Sequence, residues 1–215
     1  LHNIMLEKAS LLRTLPPAGV AFLSKDDPWF EKVRAFAPGD VVTVSLVEEA
    51  DYIGVPAKKW EDEIQIIENA SGERLKLRLA VPGGHHVLNA LFAVAIGRRQ
   101  KINWDDIGQA LSNYQPQPMR WEVSFVNGVK VINDAYNANP ASMRAALNTF
   151  AAMPVAGKKF LVLADMLELG ESAIAAHEEL GRQVAAGKWH RLITLGELGA
   201  LLAAAARRAG FKEEH

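Results

Sequence analysis

An α/β fold in two parts is predicted by three observations. Short β-branched runs alternate with helix-patterned segments through the second half of the chain, and an Asn-Gly pair, Asn127-Gly128, joins two such runs. A polar stretch with two prolines, Tyr114-Gln115-Pro116-Gln117-Pro118, sets that half apart from the first. Alternating strands and helices imply right-handed crossovers and a largely parallel sheet. Two prolines among polar residues favour an extended linker, so the parts are expected at 1–118 and 119–215.

In the first part, Val20-Ala21-Phe22-Leu23 after Gly19 reads as a strand, 28–36 as a helix and 41–46 as a second strand. No element is assigned from 47 to 62. Glu63 to Ile67 and Arg74 to Leu79 alternate apolar and polar on either side of Asn69-Ala70-Ser71-Gly72, the pattern of a hairpin with one wet face. A helix over 85–98 is almost wholly apolar from Ala90 to Ile96 and should be buried. An amphipathic helix follows over 104–113.

In the second part, the Asn-Gly turn closes a hairpin between 121–126 and 129–132. Met143, Ala146, Leu147 and Phe150 recur at helical spacing. Then come a strand over 159–163, a helix over 172–186, a strand over 191–195 and a helix over 198–209. The sequence ends at Glu213-Glu214-His215, short of the strands needed to complete such a sheet, and starts at Leu1 without a signal-peptide pattern. It is expected to be a piece of a longer polypeptide.

Composition narrows little. The 215 residues are 49% hydrophobic and 23% charged, ordinary values for a globular protein. A formal net charge of −1 gives no bulk attraction for nucleic acid or an anionic membrane. With no cysteine, disulfides and thiolate chemistry are excluded and a reducing compartment is allowed. The Ala-rich stretches are cut by Arg, Glu or Gly, so none reads as a membrane span.

The densest chemistry lies in Asn133-Asp134-Ala135-Tyr136-Asn137-Ala138-Asn139-Pro140. Val129-Lys130-Val131-Ile132 before it reads as a half-buried strand. After it, Asn139 is a good N-cap and Pro140 suits the first helical position. A turn at the carboxyl end of a strand that opens a helix is where open α/β sheets bind ligands. Asp134 can accept ribose hydroxyls or sit near a metal, and Tyr136, Asn137 and Asn139 offer donors and acceptors. Asp134 and Asn137 are expected to project over the sheet edge and serve a ligand rather than the fold. Asn and Asp also dominate ordinary turns, and a self-satisfied Asx turn fits these residues equally well.

Asn133 to Met143 resembles the signature of the Mur ligases. Further matches follow in that family's order: Pro82-Gly83-Gly84-His85 with Asn89-Ala90-Leu91 upstream, then Ala164-Asp165-Met166-Leu167-Glu168-Leu169-Gly170 with His177 downstream. The resemblance covers nearly the whole chain. It implies part of a P-loop-type central ATPase domain, then a Rossmann-like, mostly parallel C-terminal domain. It also implies an ATP-dependent, cytoplasmic, monomeric amide-bond ligase using ATP and Mg²⁺ to join D-alanyl-D-alanine to UDP-N-acetylmuramoyl-tripeptide. Folylpolyglutamate synthase, a related ligase, and a non-catalytic nucleotide-binding module are the alternatives. No G-x-x-x-x-G-K-[ST] loop occurs in the chain, so alone it is expected to be inactive.

The resemblance also assigns roles. Glu7-Lys8-Ala9-Ser10, with Leu15-Pro16 and Gly19, is similar to the stretch whose lysine is carbamylated and helps hold Mg²⁺, a hard cation that takes oxygen ligands. Without it, Lys8 is a solvated helix lysine. Asn89 matches an adenine contact, and reads alternatively as a buried packing residue. Arg120 matches a hinge arginine reaching phosphates, for which a guanidinium fork is suited. Met119 stands where glycine is common in the family. Asp165 and Glu168 are expected to line the dipeptide site, although Glu168 reads equally as a solvated loop charge. His85 and His86 are neighbours that should not face each other, and His86 stands where Asn is usual. His177, beside Glu178 and Glu179, reads as lying on a wet helix face.

Overall fold

The computed structural model describes residues 2–57 and 62–212. Residues 213–215, where the sequence was expected to stop short of further strands, lie outside the described residues. The chain divides into two compact units between Gln115 and Pro116, inside the proline-bearing stretch.

The first unit is built on a five-stranded sheet in the order β1-β2-β3-β4-β5. Its strands are β1 (Val20–Ser24), β2 (Asp40–Ser45), β3 (Tyr52–Val55), β4 (Ile64–Glu68) and β5 (Arg74–Leu77). The β1-β2-β3 ladder is parallel, and β3-β4-β5 is antiparallel. The helices are α1 (His2–Ser10), α2 (Phe30–Arg34), α3 (Gly84–Arg99) and α4 (Trp104–Ser112). Along β4, Ile64 and Ile66 are buried while Gln65 is partly exposed, the one-sided alternation expected of the hairpin. Helix α3 lies against β2 and β3 and buries Val87, Ala90, Leu91, Val94 and Ala95 among Val44, Ile66 and Leu77. Ile96, expected inside with its neighbours, is exposed.

Strand β3 is absent from the sequence reading, and the reason is Gly54. A Cβ built there would lie 2.7 Å from Leu46 Cδ2 and 2.8 Å from Leu91 Cδ1. The glycine thus marks a close approach of α3 to the sheet, a common meaning of glycine inside a strand. Farther along β3 and β4, the Tyr52 hydroxyl donates to Glu68, whose carboxylate also accepts from Ser71 Oγ and lies 3.5 Å from Arg98. Burial alone would raise the Glu68 pKa, but these hydrogen bonds and the Arg98 charge outweigh it and hold it down. Burial and the same hydrogen bond push the Tyr52 phenol up.

The second unit contains the hairpin β6 (Glu122–Val126) and β7 (Val129–Asn133), the parallel pair β8 (Phe160–Leu163) and β9 (Arg191–Thr194), and helices α5 (Pro140–Ala152), α6 (Ala173–Ala186) and α7 (Glu197–Arg208). Asn127 (φ 50°) and Gly128 (φ 80°) are both left-handed, as a two-residue hairpin turn matching strand twist requires. The hairpin is less buried than its alternation predicts: all of β6 and Val129 to Val131 are exposed, and only Ile132 and Asn133 are partly covered. Alternation reports two distinct faces, not a layer that covers one of them.

Leu147, Leu161, Met166, Leu180, Val184, Trp189, Leu202 and Ala206 form the second core. Leu161 of β8 points into it, whereas Phe160 and Val162 on the other face are exposed, as is Ile193 of β9. Helices α6 and α7 approach closely at Gly181, where a Cβ would sit 2.3 Å from Leu202 O. Lys159 Nζ donates to Phe150 O (2.9 Å) and Ala151 O (2.7 Å), satisfying carbonyls at the C-terminus of α5. Among the described residues, no helix is long and apolar enough to cross a membrane.

Candidate functional site

In the first unit the chemistry gathers at the carboxyl ends of the parallel strands. Leu46, just past β2, lies against the start of α3, with its Cδ1 3.8 Å from where a Gly84 Cβ would stand. Gly83 (φ 115°) caps α3 without a side-chain bond, and its carbonyl accepts from His86 N (3.0 Å) and Val87 N (3.3 Å) in the first turn. At the same edge Asp26 accepts from Ser45 Oγ (2.5 Å) and from Leu46 N (2.8 Å). The fully buried Ser45 hydroxyl in turn accepts from Val47 N and Glu48 N. The sequence reading passed over both residues; an acidic pair, Asp26-Asp27, directly after a strand was the available signal.

Asn89 is exposed one turn into α3, so its amide is presented outward rather than used in packing. The His85 and His86 rings, expected to diverge, lie 4.0 Å apart and tilted by 45°. Burial first, and the neighbouring His85 second, pull the His86 pKa from 6.5 to about 4. Since the folded value lies below the unfolded one, the unfolded chain binds more protons between these limits. Stability should therefore fall as pH drops from about 6.5 to about 4. Thermal melts of wild type and His86→Asn across that window check this: the asparagine variant should show the shallower decline.

Lys8 is exposed in the last turn of α1. Among the described residues no group of three or more His, Asp or Glu side chains is placed to hold a metal ion. The described residues therefore do not by themselves assemble a complete Mg²⁺ site.

In the second unit the segments on either side of the hairpin fold onto each other. The Arg120 guanidinium stacks over the Tyr136 ring, 4.1 Å from its centroid, in an open pocket lined also by Gln117, Pro118 and Met119. Tyr136 N donates to Met119 O (3.1 Å). Met119 (φ 61°) is left-handed, which accounts for the glycine common at this position in the resembled family. Asp134 Oδ1 accepts from the N–H of Trp121 (3.0 Å), a residue only 3% exposed and itself left-handed at φ 53°. The Asp134 carboxylate, expected to serve a ligand rather than the fold, thus also braces the backbone that carries Arg120. Asp134→Ala leaves that N–H without its partner and should cost about 1–3 kcal/mol, read as a lower Tm in this chain.

Asn137 Oδ1 accepts from Ala138 N (2.9 Å), a local turn bond. Asn139 caps α5 as expected, its Oδ1 taking Ala141 N and Ser142 N while Ser142 Oγ takes Asn139 N, with Pro140 at the first position. That oxygen is committed to the helix. Asp134, Asn137 and Asn139 are thus all engaged in the turn, and Tyr136, at 63% exposure, remains presented outward.

Asp165 and Glu168 follow β8. Asp165 Oδ1 accepts from Gly199 N (2.6 Å) in the first turn of α7, whose own cap, Gly196 (φ 91°), has no side chain to do so. Glu168 is exposed and left-handed (φ 61°), and Leu167 beside it is 73% exposed. His177 departs most from its sequence reading: it is fully buried, not on a wet face. Its Nε2 accepts from Met166 N (2.9 Å) and its Nδ1 lies 2.7 Å from Ala173 O.

The Mur ligase middle domain matches residues 1–97, and the Mur ligase glutamate ligase domain matches residues 119–215. A UDP-N-acetylmuramoyl-tripeptide--D-alanyl-D-alanine ligase of Bacillus subtilis is 40% identical over 126 residues, 58% of this chain and 28% of that protein. Among solved structures, a MurF from Acinetobacter baumannii superposes with a TM-score of 0.86 at 26% identity, covering 95% of this chain and 44% of its own. A MurF ligase from Thermotoga maritima, solved in complex with ADP, shares the fold with a TM-score of 0.79 at 23% identity, covering 94% and 46%. The chain spans less than half the length of each. With a middle domain followed by a ligase domain in that order, it belongs to the Mur ligase family.

Proposed function

We propose that this chain is the part of an ATP-dependent ligase that handles nucleotide and amine, in an enzyme joining D-alanyl-D-alanine to UDP-N-acetylmuramoyl-tripeptide. The observation that carries the reading is the Asn133–Pro140 turn, which opens α5 at the end of β7 and sets Tyr136 beneath Arg120. Bound ATP would transfer its γ-phosphoryl group to the tripeptide carboxylate with release of ADP, and the dipeptide amine would attack the resulting acyl phosphate and expel phosphate. Arg120, a fixed planar cation in an open pocket, suits the phosphate oxygens. Asn89, exposed on α3, suits adenine, whose N6 and N7 match an amide's acceptor and donor. Lys8, if carbamylated, would contribute one oxygen ligand to a Mg²⁺ site whose other ligands lie outside the described residues. Asp165 and Glu168 supply negative charge toward an ammonium group. The support is the family membership and the matching names of relatives.

The decisive experiment is amide formation by the full-length ligase with D-alanyl-D-alanine, single amino acids or glutamate as acceptor. Use of the dipeptide is expected; a preference for glutamate would overturn the reading in favour of a folylpolyglutamate synthase-like enzyme. The 215-residue chain by itself is expected to show no ATP hydrolysis, since its sequence has no phosphate-cradling G-x-x-x-x-G-K-[ST] loop. Phosphate release by the purified chain above a buffer control checks this.

A further inference from the structure

We infer that His177 is a positioning residue, a neutral imidazole built under the turn after β8 that holds Asp165 to Glu168 in the shape that receives the amine substrate. The inference rests on the proposed role of that turn and deepens it. A carbonyl oxygen can only accept, so the 2.7 Å contact with Ala173 O puts the proton on Nδ1. A backbone N–H can only donate, so Nε2 must be unprotonated to accept from Met166 N. Two backbone partners thus dictate one tautomer, and an imidazolium would set N–H against N–H at Met166. The second-ring-nitrogen bond that orients the first is the usual way a protein fixes a histidine's role.

The hold acts where the turn needs it. Met166 is itself fully buried, between an Asp165 tied to α7 and the outward pair Leu167 and Glu168. Glu168 keeps a left-handed backbone, which the surrounding structure must over-determine to persist. With Met166 pinned by its side chain in the core and by its N–H at His177, the two following residues are presented from a fixed point. His177 touches no reacting atom and acts through Met166. Its neighbours Glu178 and Glu179 pair instead with Arg208 and Arg182.

The test has two arms. On this 215-residue chain, long-range ¹H–¹⁵N NMR should find His177 protonated at Nδ1 only, and the Met166 amide protected from exchange; an Nε2–H tautomer or a freely exchanging amide overturns the inference. In the full-length ligase, His177→Gln keeps an acceptor near the Nε2 position and His177→Leu removes it. His177→Leu should raise KM for D-alanyl-D-alanine about tenfold, with kcat and KM for ATP within about threefold of wild type, and His177→Gln should restore most of the loss. Uniform loss in every parameter with equal impairment of both variants would make His177 merely structural and overturn the proposal. If the wild-type ligase refuses the dipeptide, the functional reading fails, and the same KM split is then read for whichever amine it accepts.

Discussion

Gly181→Val is expected to unfold the second unit at temperatures where the first remains intact. A Cβ at 181 would lie 2.3 Å from Leu202 O and 2.8 Å from Ala205 Cβ, and the nearer of these is backbone that cannot rotate aside. Helices α6 and α7 would have to move apart, opening the core around Leu180, Val184, Leu202 and Ala206. Overpacking of this kind costs typically about 1–3 kcal/mol, and a backbone clash belongs at or above the upper end. Against a total stability of about 5–15 kcal/mol for a whole domain, a unit of this size has little margin. Tryptophan reports the change: Trp121 and Trp189 lie in the second unit, and Trp29, Trp60 and Trp104 in the sequence of the first. Denaturant melts of the variant, alone and with Trp189→Phe, should show an early transition that carries the second unit's signal. A single transition at the wild-type midpoint would mean that the helices separate without cost.

Lys8→Ala in the full-length ligase is expected to lower turnover by at least a thousandfold, about 4 kcal/mol of transition-state stabilisation, while leaving the fold untouched. Lys8 is exposed, on a helix whose buried positions are Met5 and Ala9, and alanine is the best helix former. The Tm should therefore move within the range of a surface change, about 0.5 kcal/mol or less. Added short-chain carboxylates should restore part of the rate by replacing the carbamate's oxygen. Undiminished turnover in Lys8→Ala would remove the residue from the site.

Local pattern and long-range contact differ in how far the sequence discloses them. Strands and helices with regular periodicity were legible almost to their ends, as with β1, α3 and the Asn127-Gly128 hairpin, because period and turn chemistry are local. β3 was hidden because Gly54 answers to Leu91, 37 positions away in the chain, and no local pattern encodes that approach. The polar residues of the candidate site were legible as types but not as partners. Asn139 could be assigned its cap because the cap, the proline and the helix are contiguous. Asp165 could not be paired with Gly199, nor Asp134 with Trp121, since both bonds close only when distant segments meet. His177 misled for the same reason: Glu178 and Glu179 advertise water, yet one position earlier on a helix is about 100° around its axis.

The left-handed backbone on both sides of Arg120 has a consequence for affinity. A free arginine on a flexible chain loses rotamer and backbone freedom when it grips an anion, at about 0.5–1.5 kcal/mol for the side chain alone. Here Met119 and Trp121 fix the direction in which the side chain leaves the backbone, Asp134 and Tyr136 clamp both flanks, and the ring beneath the guanidinium narrows its range further. Most of that disorder is gone once the unit has folded. A phosphate group bound as proposed would meet preorganised charge, so relaxing Met119 to glycine would ease the backbone and weaken the grip together.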